Sequence, residues 1–308
     1  MKRIFLSAIV LVAGVAMAQD QAAPQATQAP PAPEKRTVTA TIQQTAPTYS
    51  DLYCAGFMTH EAVNKTNVIA GGMYSPEQTQ YARGNTVFLS GGGFQEGAQY
   101  SILREMHDIN HYEPFAGARV AVNEAGQLYS ELGRLRVTAL RGNVAVAEIE
   151  FSCQNITIND IVVPFKEHVP VEFRKASSME RYPAAPGRLN ARIVMAKEFD
   201  TELRPGHKLY LNVGANKGVK VGQYFRAVRY YDPARLNPID NLSYKAPVGE
   251  DTQMVPGKVT PETAKNLPPR NIGEMIVLNV TPTAATAMIT NELEDVKVGD
   301  WVELEDEQ

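Results

Sequence analysis

The chain has 308 residues, 30 basic against 34 acidic, and 44% of it is hydrophobic, enough apolar material to build packed cores. Two cysteines, 8% aromatics and a nearly balanced charge exclude a disulfide-dense scaffold, a zinc-ribbon protein and a nucleic-acid binder with a basic face. At roughly 100–200 residues per domain, the length predicts about two domains.

The chain starts with Lys2 and Arg3, an apolar run over residues 4–15, and then Ala16-Met17-Ala18. A charged segment, a short greasy segment and a small-residue A-x-A site in that order predict a secretory signal peptide, residues 1–18, cleaved after Ala18. The apolar run is shorter than the ~20 residues a transmembrane helix needs. The expectation is a periplasmic or secreted protein with no integral membrane segment after cleavage. Residues 19–47 are rich in Ala, Gln, Pro and Thr and offer almost no large apolar side chain to bury, so they predict a disordered linker of partly extended character.

The main feature is an internal repeat. Residues 132–162 lie over 272–302 at a constant offset of 140 without a gap. Gly133 meets Gly273, Val137 meets Val277, Ala145 and Ala147 meet Ala285 and Ala287, Ile149 meets Ile289, and Asp160 meets Asp300. Upstream, Gly84-x-x-Val87-Phe88-Leu89 resembles Gly206-x-x-Leu209-Tyr210-Leu211. A glycine turn follows in both: Gly93-Phe94-x-x-Gly97-x-x-Tyr100-x-x-Leu103-Arg104 against Gly218-Val219-x-x-Gly222-x-x-Phe225-x-x-Val228-Arg229. Repeats of this length predict two tandem modules, at residues 48–178 and 187–308, separated by a linker near residues 179–187.

Within each copy the apolar period is two, as in Leu135-x-Val137 and Val144-Ala145-Val146-Ala147-Glu148-Ile149, and the runs are short and bounded by turn residues. This predicts an all-β fold of two tandem small half-open β-barrels of SH3-like type, five or six strands each, with long loop insertions. Gly93, Gly97, Gly133, Gly218, Gly222, Gly273, Gly299 and Asp300 are assigned as structural turn positions. Helix is scarce; the one candidate is residues 261–266, with Thr260 as N-cap and Pro261 first.

The second copy, LYLNVGANKGVKVGQYFRAVR followed by IGEMIVLNVTPTAATAMITNELEDVKVGDWVEL, resembles the small C-terminal β-domain of the flagellar assembly protein T family. The likeness covers roughly residues 187–304, and the first copy looks like a diverged member. What the resemblance implies is an extracytoplasmic, non-enzymatic β-domain used in bacterial envelope assemblies. Its motif glycines and apolar residues determine the fold, so it supplies no catalytic residue.

Cys54 and Cys153 both fall in the first module, and in an oxidising compartment they are expected to form a disulfide. Closing a loop of that size stabilises by about 4–5 kcal/mol on the chain-entropy account. His107 and His111 have H-x-x-x-H spacing, which on a helix would suit a metal-dependent hydrolase; the surrounding sequence predicts a loop instead. Ser90-Gly91-Gly92-Gly93 lacks the lysine and helix of a phosphate loop. No enzyme, metal or cofactor is therefore expected.

Residues 231–270 hold seven prolines and several apolar residues, and residues 105–130 form a shorter insertion at the same place in the first copy. Long insertions are where binding function concentrates, so Tyr112, Phe115, Tyr230, Tyr231 and Tyr244 are the candidate contact residues. The expected partner is another envelope protein; the alternative is peptidoglycan, for which the single Trp301 offers a stacking ring. Residues 292–307 carry eight carboxylates and one lysine and read as a solvated edge strand and tail.

Overall fold

Among the described residues twelve barrel strands carry the alternating apolar pattern, six in each copy of the repeat. In the first copy they are β1 (Val68–Gly72), β2 (Thr86–Ser90), β3 (Gln99–Met106), β4 (Gln127–Arg141), β5 (Val144–Ser152) and β6 (Ile161–Pro164). In the second they are β7 (Asn190–Ala196), β8 (Lys208–Leu211), β9 (Tyr224–Arg229), β10 (Arg270–Val280), β11 (Ala285–Glu292) and β12 (Trp301–Leu304). The computed structural model describes residues 39–40, 44–107, 113–175, 179–184, 189–230 and 260–305.

Both sets close into antiparallel rings with one topology. Barrel 1 runs β1-β2-β5-β4-β3-β6 and back to β1, and barrel 2 runs β7-β8-β11-β10-β9-β12 and back to β7. The rings are complete rather than half-open, which leaves no barrel strand with an unpaired edge. In barrel 1, Ile69, Val87, Leu89, Ile102, Leu135, Val137, Ala145, Ala147, Ile149 and Val162 fill the interior. Their counterparts Ile193, Leu209, Leu211, Ala227, Met275, Val277, Ala285, Ala287, Ile289 and Val302 fill barrel 2. The period-two pattern is thus the inward face of each strand.

The likeness extends to single bonds. Gly84 donates to the Ile149 carbonyl and Gly206 to that of Ile289, both at 2.8 Å; Gly97 donates to Val137 at 2.8 Å and Gly222 to Val277 at 2.9 Å. The Gln80–Tyr81 and Ile156–Thr157 ladder below barrel 1 recurs as Glu202–Leu203 with Val296–Lys297.

Gly133 and Gly273, expected at turns, lie instead inside β4 and β10, where each strand's register shifts against its neighbour. A Cβ at Gly133 would meet the Phe151 carbonyl oxygen at 2.2 Å, and one at Gly273 would meet Val296 at 2.9 Å and the Asn291 carbonyl at 3.1 Å. The glycines admit close backbone approach at a bulge, and so they are kept at the same place in both copies.

Strands β1 and β7, which open the barrels, carry little shared sequence because β1 ends in Gly71-Gly72 and β7 in Met195-Ala196. Among the described residues three α-helices decorate the barrels. Helix α1 (Tyr49–Tyr53) starts with a capping box in which Thr48 and Asp51 each satisfy the other's backbone N–H. Helix α2 (Ala118–Ala125) lies in the first insertion, where a loop was expected. Helix α3 (Pro261–Asn266) is the one anticipated, with the Thr260 hydroxyl accepting from the Thr263 N–H at 3.2 Å.

Candidate interaction site

The two barrels are fastened together by parts of the chain the repeat does not contain. Helix α2 places alanines at 118, 121 and 125 on one buried face. With Met58 and Leu128, Ala121 and Ala125 cover Val194, Met195, Tyr210 and Ala284 of barrel 2. Small side chains at that spacing let the helix axis approach the sheet closely. Thr283 donates to the Ala125 carbonyl at 3.0 Å and Thr281 to that of Met58 at 2.6 Å, so backbone groups at the seam are satisfied.

The segment before barrel 1 lies on barrel 2. Thr45 donates to the Thr290 carbonyl at 2.7 Å, Asp51 pairs with Lys208, the Tyr210 hydroxyl donates to the Ala55 carbonyl at 2.8 Å, and Thr286 donates to that of Gly56 at 2.9 Å. Leu52 and Ala55 pack with Tyr224, Ile276, Leu278 and Met288. Residues 44–47, at the end of the expected linker, therefore belong to the folded body. Burial pushes the Tyr210 phenol far above its ordinary value, with Glu131 adding to it.

Cys54 and Cys153 form the expected disulfide. Cys54 follows α1 on the segment seated against barrel 2, whereas Cys153 follows β5 of barrel 1, so the bridge ties that segment to the wall of barrel 1. Around it Tyr53 stacks on Phe165 at 5.9 Å and meets His168 edge-on at 4.7 Å, and Arg134 lies over Phe165 at 4.9 Å. Buried Glu131 accepts from the Gly56 N–H at 3.2 Å and contacts His168 Nε2 at 3.0 Å. A small cleft lined by Tyr49, Tyr53, Arg134, Phe151 and Phe165 opens here, its rings packed on one another and under the Arg134 guanidinium.

Phe115, expected to contact a partner, is turned inward. Its ring fills the space a side chain at Gly299 would need, with ring atoms 2.6 Å from such a Cβ. The Arg192 guanidinium sits 4.4 Å from the Phe115 ring and 4.7 Å from that of Trp301. Arg192 was not anticipated from sequence. Its outward position opposite Trp301 on neighbouring strands appears only once β7 is recognised.

Tyr230, the candidate contact residue at the end of β9, lies at the surface. It is 44% exposed, and its hydroxyl donates to Glu303 at 2.7 Å. Glu303 is only 2% exposed and accepts from Arg226 Nε and Nη2 at 3.1 and 2.9 Å. Burial first, and then the hydrogen bond to Glu303, push the Tyr230 phenol up to about 12, so it keeps its proton at any physiological pH. Trp301, two residues from Glu303 on β12, is 37% exposed. An exposed tyrosine and an exposed tryptophan, each held by a buried or stacked charged group, make a rigid aromatic surface beside the point where residues 231–259 begin. Tyr112, Tyr231, Tyr244 and His111 lie outside the described residues.

The acidic end is not a solvated edge. β12 is hydrogen-bonded on both sides, and its carboxylates meet arginines: Asp300 with Arg229, Glu294 with Arg181, and Glu305 with Arg174. Arg174 also reaches Glu274 at 3.1 Å and lies over the Tyr224 ring at 4.4 Å. Burial, and then Glu305, raise the Glu274 carboxyl above its ordinary range against the pull of Arg174. Among the described residues no group of three His, Cys, Asp or Glu side chains is placed to hold a metal ion, and no helix is long and apolar enough to cross a membrane.

Comparison with protein-family models and with curated proteins finds nothing that matches this chain.

Proposed function

We propose that the protein is a non-enzymatic structural and interaction component of the bacterial cell envelope, exported by its N-terminal segment and working in the periplasm or outside the cell. The likeness of the second barrel's sequence to the C-terminal β-domain of flagellar assembly protein T supports the envelope setting. The Cys54–Cys153 bridge suits an oxidising compartment. The observation that carries the binding role is the aromatic surface of barrel 2, where Tyr230 and Trp301 stay exposed while buried Glu303 holds the Tyr230 hydroxyl and Arg192 stacks on the Trp301 ring. Rings immobilised in advance lose little entropy on binding and are the usual anchors of protein interfaces.

The test is photo-cross-linking in the native cell with a reactive amino acid at position 301, and at position 141 on the far hairpin of barrel 1 as control. A discrete protein adduct from position 301 and none from 141 is the expected result. Absence of any protein adduct, with the purified chain instead pelleting with peptidoglycan sacculi, would replace this reading by cell-wall glycan recognition.

A further inference from the structure

Because the two barrels share one topology, the outer face of one has a counterpart on the other. On barrel 2 the face of β7, β8 and β11 is covered. Val194, Met195, Tyr210 and Ala284 lie beneath α2 and its flanks, and Met288 packs with Leu52 and Ala55 of the strap before barrel 1. The registers fix the corresponding positions in barrel 1. Gly71 follows a bulge and pairs with Phe88 as Met195 follows a bulge and pairs with Tyr210, so Ala70 stands for Val194 and Phe88 for Tyr210. At the offset of 140, Val144, Val146 and Glu148 stand for Ala284, Thr286 and Met288.

In barrel 1 this face is open. Ala70 is exposed, Phe88 and Val146 are half-buried, and Val144 is 38% exposed where Ala284 is 1%. Apolar side chains thus run across three adjacent strands, β1, β2 and β5, and contiguous apolar surface of this kind marks an association site. The charges at its two ends decide what it can meet. Arg141 pairs with Val144 at one end, Ala139 and Phe88 flank Val146 in the middle, and Arg136 and Thr86 flank Glu148 at the other. Cross-strand pairs point to one side of a sheet, so these rows share the outer face.

Exposed Arg141 and Glu148 form no ion pair among the described residues. Arg141 donates to the Leu140 carbonyl at 2.9 Å. Arg136, beside Glu148, is turned to Glu150 at 2.6 Å and to the Gly97 carbonyl at 2.8 Å. Four residues of strand, roughly 13 Å, keep Arg141 and Glu148 from meeting within one chain. The face is therefore basic at one end, acidic at the other and apolar between, which makes it complementary to itself. A two-fold axis lying in the contact plane and crossing the strands at Phe88 and Val146 sets the strands of two copies antiparallel. Arg141 of each copy then comes beside Glu148 of the other, and the apolar rows meet. We infer that the face formed by Ala70, Phe88, Val144 and Val146 binds the same face of a second copy of the chain, with Arg141 and Glu148 fixing the register. Such a contact is isologous and closes as a dimer. It stands apart from the partner reading above: an adduct at position 141 that holds two copies of this chain belongs to this contact, and only a second protein captured there bears on that reading.

Sedimentation velocity on the purified full chain, over roughly 1–200 μM to reveal a micromolar interface, tests it with three variants at exposed positions: Val144→Glu, Arg141→Glu and Glu148→Arg. The wild type is expected to pass from monomer to dimer as concentration rises and to go no further. Val144→Glu should stay monomeric. Arg141→Glu and Glu148→Arg should each weaken the dimer about tenfold or more, because each puts like charges together twice, and all three should keep the wild-type thermal midpoint. A mixture of Arg141→Glu with Glu148→Arg should dimerise again, because in the mixed pair both contacts join an acid to a base. A wild type that stays monomeric or grows beyond a dimer, variants that assemble as the wild type does, or a mixture that stays monomeric would overturn the inference. If Glu148→Arg fails to fold, Val144→Glu and Arg141→Glu carry the test, and dimers of wild-type strength from either would overturn it.

Discussion

The guanidinium of Arg229 grips both carboxylate oxygens of Asp300, Nε to Oδ1 at 3.2 Å and Nη2 to Oδ2 at 2.6 Å, while Nη2 also donates to the Asp295 carbonyl at 2.9 Å. Arg104 and Asp160 repeat this in barrel 1 at 2.8 and 2.7 Å, with the Asn155 carbonyl at 3.1 Å. In both copies the aspartate also accepts the N–H three residues before it, from Lys297 at 2.8 Å and Thr157 at 2.7 Å. A two-pronged arginine–carboxylate pair that also pins a turn holds the last strand of each barrel in place and lets the ring close.

Removing one member of this clasp leaves the other poorly hydrated. Asp300→Ala is expected to cost about 1–3 kcal/mol, below the range for a fully buried pair because Arg229 keeps some exposure. Asp160→Ala should cost a similar amount, and the loss should persist in high salt because partly buried pairs are weakly screened. Urea unfolding at low and high salt checks both; a loss that vanishes with salt would reduce the clasp to a surface ion pair.

The disulfide joins residues 99 apart and ties the segment that lies on barrel 2 to the wall of barrel 1. Reduction, or Cys153→Ser, is expected to lower stability by about 4–5 kcal/mol on the chain-entropy account. Tyr210→Phe, which leaves the Ala55 carbonyl at the seam without its hydroxyl donor, should cost about 1–2 kcal/mol. Urea midpoints with and without reductant measure the first. An unchanged midpoint would mean that the strap is held by its noncovalent contacts alone.

Gly133→Ala and Gly273→Ala probe the same bulge with unequal room. At 133 the new methyl group meets a backbone carbonyl at 2.2 Å, and at 273 its nearest contact is a side-chain methyl at 2.9 Å. Backbone cannot yield as a side chain can, so the first change should be the more damaging, at about 2–4 kcal/mol against about 1 kcal/mol. Thermal unfolding of the two variants gives the order, and the reverse order would refute the steric account.

Asp51 and Glu274 pull stability in opposite directions with pH. Burial pushes the Asp51 carboxyl up, but the hydrogen bonds from Lys208 and Thr48 outweigh it and hold the group below its ordinary range. Its contribution is therefore present above the unfolded value near about 4 and is lost as pH falls through the folded one. The Glu274 carboxyl is raised, first by burial and then by Glu305, so the folded state holds its proton more tightly. Stability falls as pH rises from about 4.3, the unfolded value, through the folded one. Unfolding midpoints between pH 3 and 8, roughly the span of these carboxylates, should show the advantage of wild type over Asp51→Asn shrinking on acidification. The comparison with Glu274→Gln should move in favour of wild type on acidification. Parallel pH curves for either variant would remove that group from the pH dependence.

The sequence by itself determined the two-barrel fold, because alternation, turn glycines and a gapless offset are local properties that each strand carries within itself. Val137 and Val277, or Ala145 and Ala285, point inward for the same reason, and the period-two pattern announces it. The α3 cap at Thr260 and the Cys54–Cys153 bridge were legible in the same way, from one residue type in one context. The tertiary structure alone decided what the barrels do to each other. Helix α2 hides in an insertion whose Ala118, Ala121 and Ala125 gain meaning only when a facing sheet is present. β1 and β7 share shape without sharing sequence. Phe115 and the carboxylates of residues 292–305 look solvent-directed in one dimension, and only the folded chain brings Arg192, Arg181, Arg226 and Arg229 to meet them. Hydrophobic period is written along a strand, whereas the partner of a charge or of an aromatic ring is set by the register of strands far apart in sequence.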